Sequence, residues 1–256
     1  MSEIRVALAS LSGEADAAWA ANAAEYADAA FLGGIALDDH TRSAARQMVE
    51  RDRTEFLPDD PVAFVDGQLA ALADVAITPG FNVRTTTVDP LRAAAAVCRD
   101  RGAILEVNAH CRQDEMCAVG CGEALLRDTE RLCTYVEAAA ETGADVSVKV
   151  RTEVPGVSLS DLASALGDAG ADYVHVDAMD SEAVVADVAR ATAATVIANN
   201  GVRDEQTVTE YLDYGADAVS VGRPSDDPRV LSRVRAATDR WFDGDGSAPE
   251  RREVET

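Results

Sequence analysis

Polar side chains that could take part in chemistry recur along the sequence, each at the end of a short run of aliphatic and β-branched residues. In chain order these segments are Asn108-Ala-His110-Cys111, Lys149-Val-Arg151, His175-Val-Asp177, Asn199-Asn200-Gly201 and Gly222-Arg223. Two of the three histidines of the chain and its one lysine belong to this set. If the apolar runs are parallel strands of one barrel, their carboxyl ends share one face, and these side chains would surround a single bowl.

The last two segments have the composition of a phosphate site. Asn199, Asn200 and Gly201 follow the seventh apolar run, and Gly222 and Arg223 follow the eighth. Barrels commonly bind phosphate after their last two strands, where backbone N–H groups of a tight glycine turn and a helix N-terminus converge on an anion. An arginine there suits a bidentate contact with the same group. We predict a phosphate-bearing ligand, against the alternative of an ordinary turn beside a rim arginine.

Lys149 and Arg151 stand two residues apart in the fifth run, so both point to the same face of the predicted strand. A cationic side chain turned into a barrel requires a partner. Lys149 suits the N1–C2=O edge of a flavin or a substrate carbonyl, and a salt bridge is the alternative. His175 suits a contact with a phosphate or flavin, and a hydrogen-bonded core histidine is the alternative. Asn108 and Arg151 are the predicted substrate contacts.

Cys111 begins the loop after the fourth run, beside His110. A cysteine in such a bowl can act as a nucleophile or a general acid. The alternative is a small buried hydrophobic residue. Together with Cys117 and Cys121 this region contains four possible metal ligands, but their spacing matches no strong zinc or iron–sulfur pattern. We therefore predict a site without metal.

Eight apolar runs alternate with alanine-rich helical stretches, a pattern typical of repeated βαβ units. The predicted strands are 4–9, 30–37, 75–83, 104–110, 146–151, 173–177, 195–199 and 218–222. The predicted helices are 89–100, 125–142, 160–169, 181–192 and 204–214. The segment 40–74 is longer than one crossover requires, which predicts an extra helix or excursion there.

A single (β/α)8 TIM barrel over residues 1–242 explains this pattern better than an open doubly wound sheet. No GxGxxG turn follows the first run, and the polar residues cluster after runs four to eight, as the catalytic face of a barrel requires. The polar segment 243–256 is predicted to be a disordered tail.

The chain has a formal net charge of −23, with acidic residues dispersed over every helical stretch. Acidic residues that are dispersed in this way are typical of the solvated surface of a folded protein. The repulsion between their charges is tolerable at high salt, where the Debye length falls to about 3 Å at 1 M. We therefore predict a halophilic, cytoplasmic protein. Neither DNA nor a membrane is an expected partner, since the surface repels phosphate and no long apolar run or signal-peptide pattern is present.

Several segments resemble motifs of the tRNA-dihydrouridine synthases, a family of FMN-binding barrels. Asn108-Ala-His-Cys111, followed by Gly120-Cys-Gly122-Glu-Ala-Leu125-Leu126, is similar in spacing to the family's Asn-x-Gly-Cys-Pro and Gly-x-Gly-x-x-Leu-Leu segment. The strings VSVKVR, YVHV, VIANNGV and AVSVGR resemble the later strand-end motifs, and LASLSGEAD resembles the opening one. The resemblance runs from Ile4 to Arg229.

The resemblance implies an FMN-dependent oxidoreductase that reduces the C5=C6 bond of a uracil-type base. In the family, the cysteine corresponding to Cys111 is the general acid that protonates C5, while hydride passes from the flavin to C6. The lysine corresponding to Lys149 lies by the flavin ring, and the histidine corresponding to His175 lies near the cofactor. The segments after strands seven and eight surround the phosphate. NADPH as electron donor, and tRNA or a small pyrimidine as substrate, are further expectations.

Departures from the family pattern keep other functions open. Arg84 stands where a flavin-contacting glutamine is expected, His110 replaces a glycine and Asn200 replaces the glycine of the family's Asn-Gly. The helical RNA-binding domain of the family does not follow the barrel, so a tRNA substrate predicts a separate RNA-binding subunit. The alternatives are a cofactor-free, phosphate-binding lyase or isomerase that uses Lys149, and a non-catalytic flavin- or phosphate-binding barrel.

Overall fold

The computed structural model describes residues 3–244 and shows eight parallel strands closed into a barrel. The strands pair in sequence order, and the first pairs with the last. They are β1 (Val6–Leu8), β2 (Ala29–Ala36), β3 (Thr78–Arg84), β4 (Ile104–Asn108), β5 (Asp145–Arg151), β6 (Tyr173–Asp177), β7 (Thr195–Asn199) and β8 (Ala218–Val221). The predicted (β/α)8 barrel is confirmed.

Helices surround the barrel and occupy its loops. Within the described residues the α-helices are α1 (Ala17–Asn22), α2 (Asp39–Val49), α3 (Pro61–Ala70), α4 (Val88–Asp100), α5 (Asp114–Ala118), α6 (Thr129–Ala140), α7 (Leu159–Asp168), α8 (Val184–Ala191), α9 (Glu205–Asp213) and α10 (Pro228–Asp243). Two 3-10 helices, Gly122–Arg127 and Arg223–Asp226, lie in the loops after β4 and β8.

Most predicted elements are present, with ends that differ by a few residues. The long connection between β2 and β3 contains both α2 and α3, which confirms the predicted excursion. The helix predicted over 125–142 is divided, because Asp128 interrupts it and caps α6 by accepting a hydrogen bond from Arg131 N at 3.2 Å. The predicted tail, 243–256, lies outside the described residues apart from its first two positions.

Three joints between a helix and the next strand share the sequence Gly-Ala-Asp, at 143–145, 170–172 and 215–217. Their glycines have φ angles of 83°, 100° and 90°, the left-handed conformation that ends a helix at low steric cost. In the second joint, Asp172 then accepts a hydrogen bond from Val146 N at the start of β5, at 2.8 Å. Such a joint fixes the height of a strand, and with it the level at which side chains enter the barrel.

The inward faces of the strands form two layers. The lower one, called here the barrel floor, is apolar and no more than 9% exposed, and consists of Ile4, Ala7, Ala29, Phe31, Ile104, Tyr173, Ile197 and Ala218. The next inward positions form a buried polar layer of Asn82, Glu106, Ser147, His175 and Ser220. Outward-facing strand residues pack against the helices in one large apolar cluster. Between residues 3 and 244 no helix has the length and apolar character needed to cross a bilayer.

Candidate active site

The polar layer is centred on the carboxylate of Glu106 in β4. This fully buried side chain accepts three hydrogen bonds, from Asn82 Nδ2 at 2.7 Å, Ser147 Oγ at 3.1 Å and His175 Nδ1 at 2.7 Å. The donors lie on β3, β5 and β6, so the carboxylate ties four strands together. Burial of a carboxylate is costly unless its oxygens are hydrogen-bonded, and here both are.

His175 continues this network to the far side of the barrel. Its Nε2 lies 2.7 Å from Ser220 Oγ, and Asn199 Nδ2 donates to the same hydroxyl oxygen at 2.9 Å. Burial lowers the pKa of His175, and the nearby charge of Glu106 only partly opposes this. The imidazole is therefore neutral at pH 7, with Nδ1–H donating to the carboxylate and Nε2 accepting from the serine hydroxyl. Both ring nitrogens are thus engaged inside the protein.

Lys149 lies above this layer, two residues after Ser147 on the inward face of β5. It is 2% exposed, and its ammonium makes no hydrogen bond or ion pair with any residue in the range 3–244. Burial lowers the pKa of Lys149, and the charges of Glu106 and Asp177 raise it again in part. Because a buried ammonium without an acceptor is unfavourable, this group is well suited to a ligand that brings one into the bowl.

Two arginines at the mouth are held by glutamates. Arg151 Nη1 donates to Glu123 Oε2 at 2.7 Å, and Arg84 Nη1 donates to Glu55 Oε2 at 2.6 Å. Arg84 also donates to Ser12. The Arg84–Glu55 pair is almost inaccessible, yet Arg84 Nε and Glu55 Oε1 are buried without a partner among the described residues. Both guanidinium groups are therefore fixed by the protein itself.

Asn108 shapes the turn that carries Cys111. Its Oδ1 accepts a hydrogen bond from Cys111 N at 3.1 Å, and its Nδ2 donates to Asn82 Oδ1 at 2.8 Å. Cys111 is half-buried and lies against a small apolar cluster that contains Met48 and Met116. Arg84 is close enough to Cys111 for the two to interact electrostatically. The thiol thus has an apolar surface on one side and a cation within reach.

His110 lies among the cations of the mouth. Its Nδ1 is buried and has no hydrogen-bond partner in the part of the chain that the structure describes. Burial, together with the charges of Lys149 and Arg84, holds the pKa of His110 well below its ordinary value. The imidazole is therefore neutral at pH 7 and has one nitrogen to offer a ligand.

The remaining cysteines near the site have other roles. Burial raises the pKa of Cys121 to about 12, so it stays a thiol at neutral pH. Cys117 Sγ donates to Cys111 O at 3.5 Å and so supports the loop. Over residues 3–244 no group of three or more His, Cys, Asp or Glu side chains is arranged to hold a metal ion.

The loops after β7 and β8 offer donors to an anion. Asn200 and Gly201 have φ angles of 96° and 69°, and their backbone N–H groups donate no hydrogen bond within the described chain. Arg223 is exposed at the start of the second 3-10 helix and forms no ion pair with another described residue. Asp177, which accepts a hydrogen bond from Asn200 at 2.8 Å, opposes an anion at one side of this turn. An anion is therefore favoured on the side of Gly222 and Arg223.

These groups fit FMN by the chemistry of their donors. Lys149 is a buried cation without an acceptor, which matches the anionic edge of a reduced flavin ring. The turn at Asn200 and Gly201 supplies free N–H groups for a phosphate. Space is open at Gly222, where an added Cβ would meet no atom within 4 Å.

The residues predicted for the site lie at the carboxyl ends of β4 to β8, except His175, which belongs to the polar layer below. Those at the strand ends are Asn108, Cys111, Lys149, Arg151, Asn199, Asn200, Gly201, Gly222 and Arg223. The roles of all ten stay predictions. The other members of the polar layer were missed, although the sequence contains a signal for them: a polar residue two positions before a strand-end residue lies on the same inward face. Such pairs are Glu106 with Asn108, Ser147 with Lys149 and Ser220 with Gly222.

Two curated proteins are similar in sequence to this chain, and one of them has a named enzymatic activity. An uncharacterized protein of Methanocaldococcus jannaschii is 26% identical over 231 residues, which are 86% of this chain and 88% of that protein. Indole-3-glycerol phosphate synthase of Haloarcula marismortui is 29% identical over 203 residues, which are 71% of this chain and 70% of that protein. Identity at this level leaves the reaction to be decided by the site.

Solved structures with the same architecture include FabK from Thermotoga maritima and a tryptophan synthase complex from Pyrococcus furiosus. FabK superimposes with a TM-score of 0.58 at 16% identity, over 91% of this chain but only 60% of the FabK chain. The tryptophan synthase chain gives a TM-score of 0.56 at 14% identity, over 94% of this chain and 98% of that chain. At these identities the likeness shows the barrel fold alone.

The family model of dihydrouridine synthases matches residues 81–244, well over half of the chain. The matched range begins in β3 and includes the Cys111 loop, Lys149, the polar residues of β6 and the loops after β7 and β8. The chain belongs to the dihydrouridine synthase family.

Proposed function

We propose that the protein is an FMN-dependent oxidoreductase that reduces the C5=C6 bond of a uracil-type base. The observation that carries this proposal is the buried, unpaired ammonium of Lys149, which shares one bowl with the free N–H groups of Asn200 and Gly201. Membership of the dihydrouridine synthase family supports both the cofactor and the reaction.

The cofactor would be held at two ends. The loops Asn199–Asn200–Gly201 and Gly222–Arg223 would bind the phosphate, and Lys149 would lie against the ring. His175 is 0% exposed and has both nitrogens engaged with Glu106 and Ser220, so it would support the cofactor site from the layer below. The protein thereby supplies placement and electrostatics, which is the usual division of labour in a cofactor enzyme.

Cys111 would supply the proton. The flavin, when bound, supplies a hydride to C6 of the base, and the Sγ–H of Cys111 protonates C5. Solvent would then return a proton to the sulfur. Asn108 would hold the loop in place through its hydrogen bonds with His110 N, Cys111 N and Asn82. Arg151, fixed by Glu123, would contact the substrate.

The substrate would be tRNA or a small pyrimidine, with NADPH as the electron donor in a halophilic cytoplasm. A net charge of −23 repels RNA at low salt. High salt screens this repulsion, but it also removes the affinity gained from counterion release. A tRNA substrate therefore requires contacts specific to shape, or a partner subunit that binds RNA.

Anaerobic single-turnover measurements test the proposal. The purified protein is expected to contain FMN, identified by mass, or to bind added FMN with one equivalent per chain. After photoreduction it is mixed with an unmodified tRNA transcript, uridine monophosphate or uracil, and flavin reoxidation and dihydrouridine formation are followed. Cys111→Ser should retain FMN and slow the reaction by about 100-fold or more, as expected when a general acid is lost.

Cys133→Ser is the matched control, because Cys133 is equally half-buried but lies on α6, away from the bowl. It should react like the wild type. Failure to bind FMN would contradict the proposal. Tight FMN binding with no reaction on any of the three substrates would instead indicate a non-catalytic flavin-binding barrel.

A phosphate-binding lyase is the second candidate, favoured by the similarity to indole-3-glycerol phosphate synthase and by the unpaired amine of Lys149. In that case Lys149 Nζ would attack a substrate carbonyl, and water would leave as the imine forms. Borohydride reduction in the presence of sugar phosphates would then attach the sugar to Lys149, which mass spectrometry detects. A Lys149→Arg variant, which keeps the charge but cannot form the imine, is the control.

A further inference from the structure

Glu106 is a fully buried carboxylate that the proposed reaction does not use. In the ladder between β4 and β5, Glu106 is paired with Ser147, and Asn108 is paired with Lys149. The carboxylate therefore lies one inward position below the level of Lys149, on the adjacent strand. No part of Glu106 is open to the bowl, since its exposure is 0%.

The hydrogen bonds of Glu106 satisfy its oxygens but not its charge. Asn82 and Ser147 are neutral donors, and His175 is neutral because burial lowers its pKa. Burial would by itself raise the pKa of Glu106, but the hydrogen bonds donated by His175 and Asn82, together with the charge of Lys149, hold it below its ordinary value. The carboxylate is therefore ionised, and its negative charge requires a cation close by.

Lys149 is a buried cation that lacks a hydrogen-bonded anionic partner. Its ammonium is buried and has no hydrogen bond within residues 3–244. Of the two acidic groups that act on it, Glu106 has the larger effect, and Asp177 at the rim has the smaller one. Each member of the Glu106–Lys149 pair is thus an isolated buried charge without the other.

We propose that Glu106 is a positioning residue that supplies the counter-charge for the ammonium of Lys149 and fixes the ring of His175 from the layer below. The ammonium of Lys149 would then stay protonated at the cofactor-facing surface because of a carboxylate that no ligand touches. The statement about Lys149 does not depend on the proposed function. Only its consequence for FMN rests on that proposal.

The ionisable groups that face this pair come from four sources. They are Arg84 on β3, Arg151 on β5, His175 and Asp177 on β6, and His110 in the loop after β4. Both arginines are paired with other glutamates, and both histidines are neutral. Asp177 is the other acidic group that acts on Lys149, and its effect is the smaller one, so substitution of Glu106 removes the larger part of the negative charge around the ammonium.

The single lysine of the chain allows a direct test. Protein labelled with 13Cε-lysine gives one lysine side-chain resonance, whose pH titration reports the pKa of Lys149 without any cofactor. In Glu106→Gln, which keeps size and removes charge, the titration midpoint should fall by at least about one pH unit, a tenfold loss of proton affinity. Glu106→Asp, which keeps the charge, should restore most of the shift.

Glu141→Gln is the matched control, because Glu141 is an exposed glutamate of the outer surface that pairs with Arg92. It removes the same charge and should leave the midpoint unchanged. An equal midpoint in wild type and Glu106→Gln would overturn the proposal. FMN titrations of the same variants are the second measurement. As the pH rises through the lowered midpoint, FMN binding to Glu106→Gln should weaken about tenfold, whereas FMN binding to the wild type should stay constant over the same range.

The pair can also be tested if Glu106→Gln alone does not fold. Lys149→Met leaves Glu106 as an uncompensated buried charge, and the double variant Lys149→Met/Glu106→Gln removes both charges. The double variant should withstand more denaturant than Lys149→Met. If the double variant is no more stable than Lys149→Met, removal of the Glu106 charge brings no relief, the two residues are not coupled, and the proposal is wrong.

Discussion

Two histidines of the site, His110 and His175, are uncharged in a molecule that otherwise carries many charges. Burial is the first cause in both cases, and the charge of Lys149 adds to it. Because the pKa of each is lowered below 6.5 in the folded state, the unfolded chain takes up protons more readily. Their contribution to stability is therefore complete above pH 6.5 and is lost as the pH falls below that value.

His110→Asn tests this linkage at the mouth. Between about pH 7 and about pH 5 the free energy of unfolding of the wild type should fall, by up to about 1.4 kcal/mol per pH unit for each neutral histidine. The variant should lose one such contribution, so its profile should be shallower. Denaturant titrations across this range measure it. Parallel profiles would show that His110 binds protons equally in the folded and the unfolded chain, which contradicts a lowered pKa.

Much of the site was predictable at the residue scale because it follows from alternation along single strands. Lys149 and Arg151, or Asn199 and Gly201, are neighbours in sequence and share a strand end. The connections of Glu106 were not predictable in this way. Its partners Asn82 and His175 are 24 and 69 residues away, so their meeting depends on the register of strands that the sequence alone does not determine.

The loop after β4 depends on Gly122 at the start of the first 3-10 helix. Gly122 has a φ of 63°, and an added Cβ would lie 2.1 Å from Cys111 O. Glu123 N donates to that same carbonyl at 2.9 Å. The left-handed backbone and the close contact together hold Cys111 where it is, so this short element positions the proposed proton donor.

Gly122→Ala and Gly102→Ala separate the cost of the left-handed backbone from the cost of the close contact with Cys111 O. Gly102 has the same φ of 63°, but an added Cβ there meets nothing within 4 Å. Gly102→Ala should cost about 1–2 kcal/mol of stability from its backbone conformation alone. Gly122→Ala should cost clearly more and should also change the reactivity of Cys111 toward a thiol reagent. If both variants lose equal stability and the reactivity of Cys111 is unchanged, the loop accommodates the added methyl group, and Gly122 does not position Cys111.

The elements themselves were predictable where their signals are local. The Gly-Ala-Asp joints and the aliphatic runs predicted the strands that follow them, and β6 and β7 have the predicted ends. The 3-10 helix Gly122–Arg127 was not separated from α6, because its leucines continue the apolar spacing of that helix. The two helices are divided at Asp128, which caps α6. An aspartate at this position is compatible both with one continuous helix and with a new helix that begins there.

The whole molecule combines a surface of high negative charge with a site that contains cations. At a net charge of −23 the folded chain repels itself, and the Debye length decides how strongly. This length falls from about 10 Å at 0.1 M salt to about 3 Å at 1 M, so most of the repulsion between exposed groups disappears over that range.

We therefore expect the melting temperature to rise steeply between about 0.1 M and about 1 M potassium chloride. A neutral osmolyte at equal osmolality is the control, and it should give a much smaller rise. The measurement is a thermal melt followed by circular dichroism in each solution. A melting temperature that does not depend on salt would remove the basis for a halophilic origin.

The barrel floor has a consequence for how protons reach the centre of the molecule. Its side chains close the amino-terminal end of the barrel, and none is more than 9% exposed. The open approach for water to Glu106 and His175 is therefore the mouth at the opposite end. A ligand that covers this mouth would slow the exchange of protons between the polar layer and the solvent. The rate at which the centre of the molecule gains or loses a proton would then depend on how fast the ligand leaves.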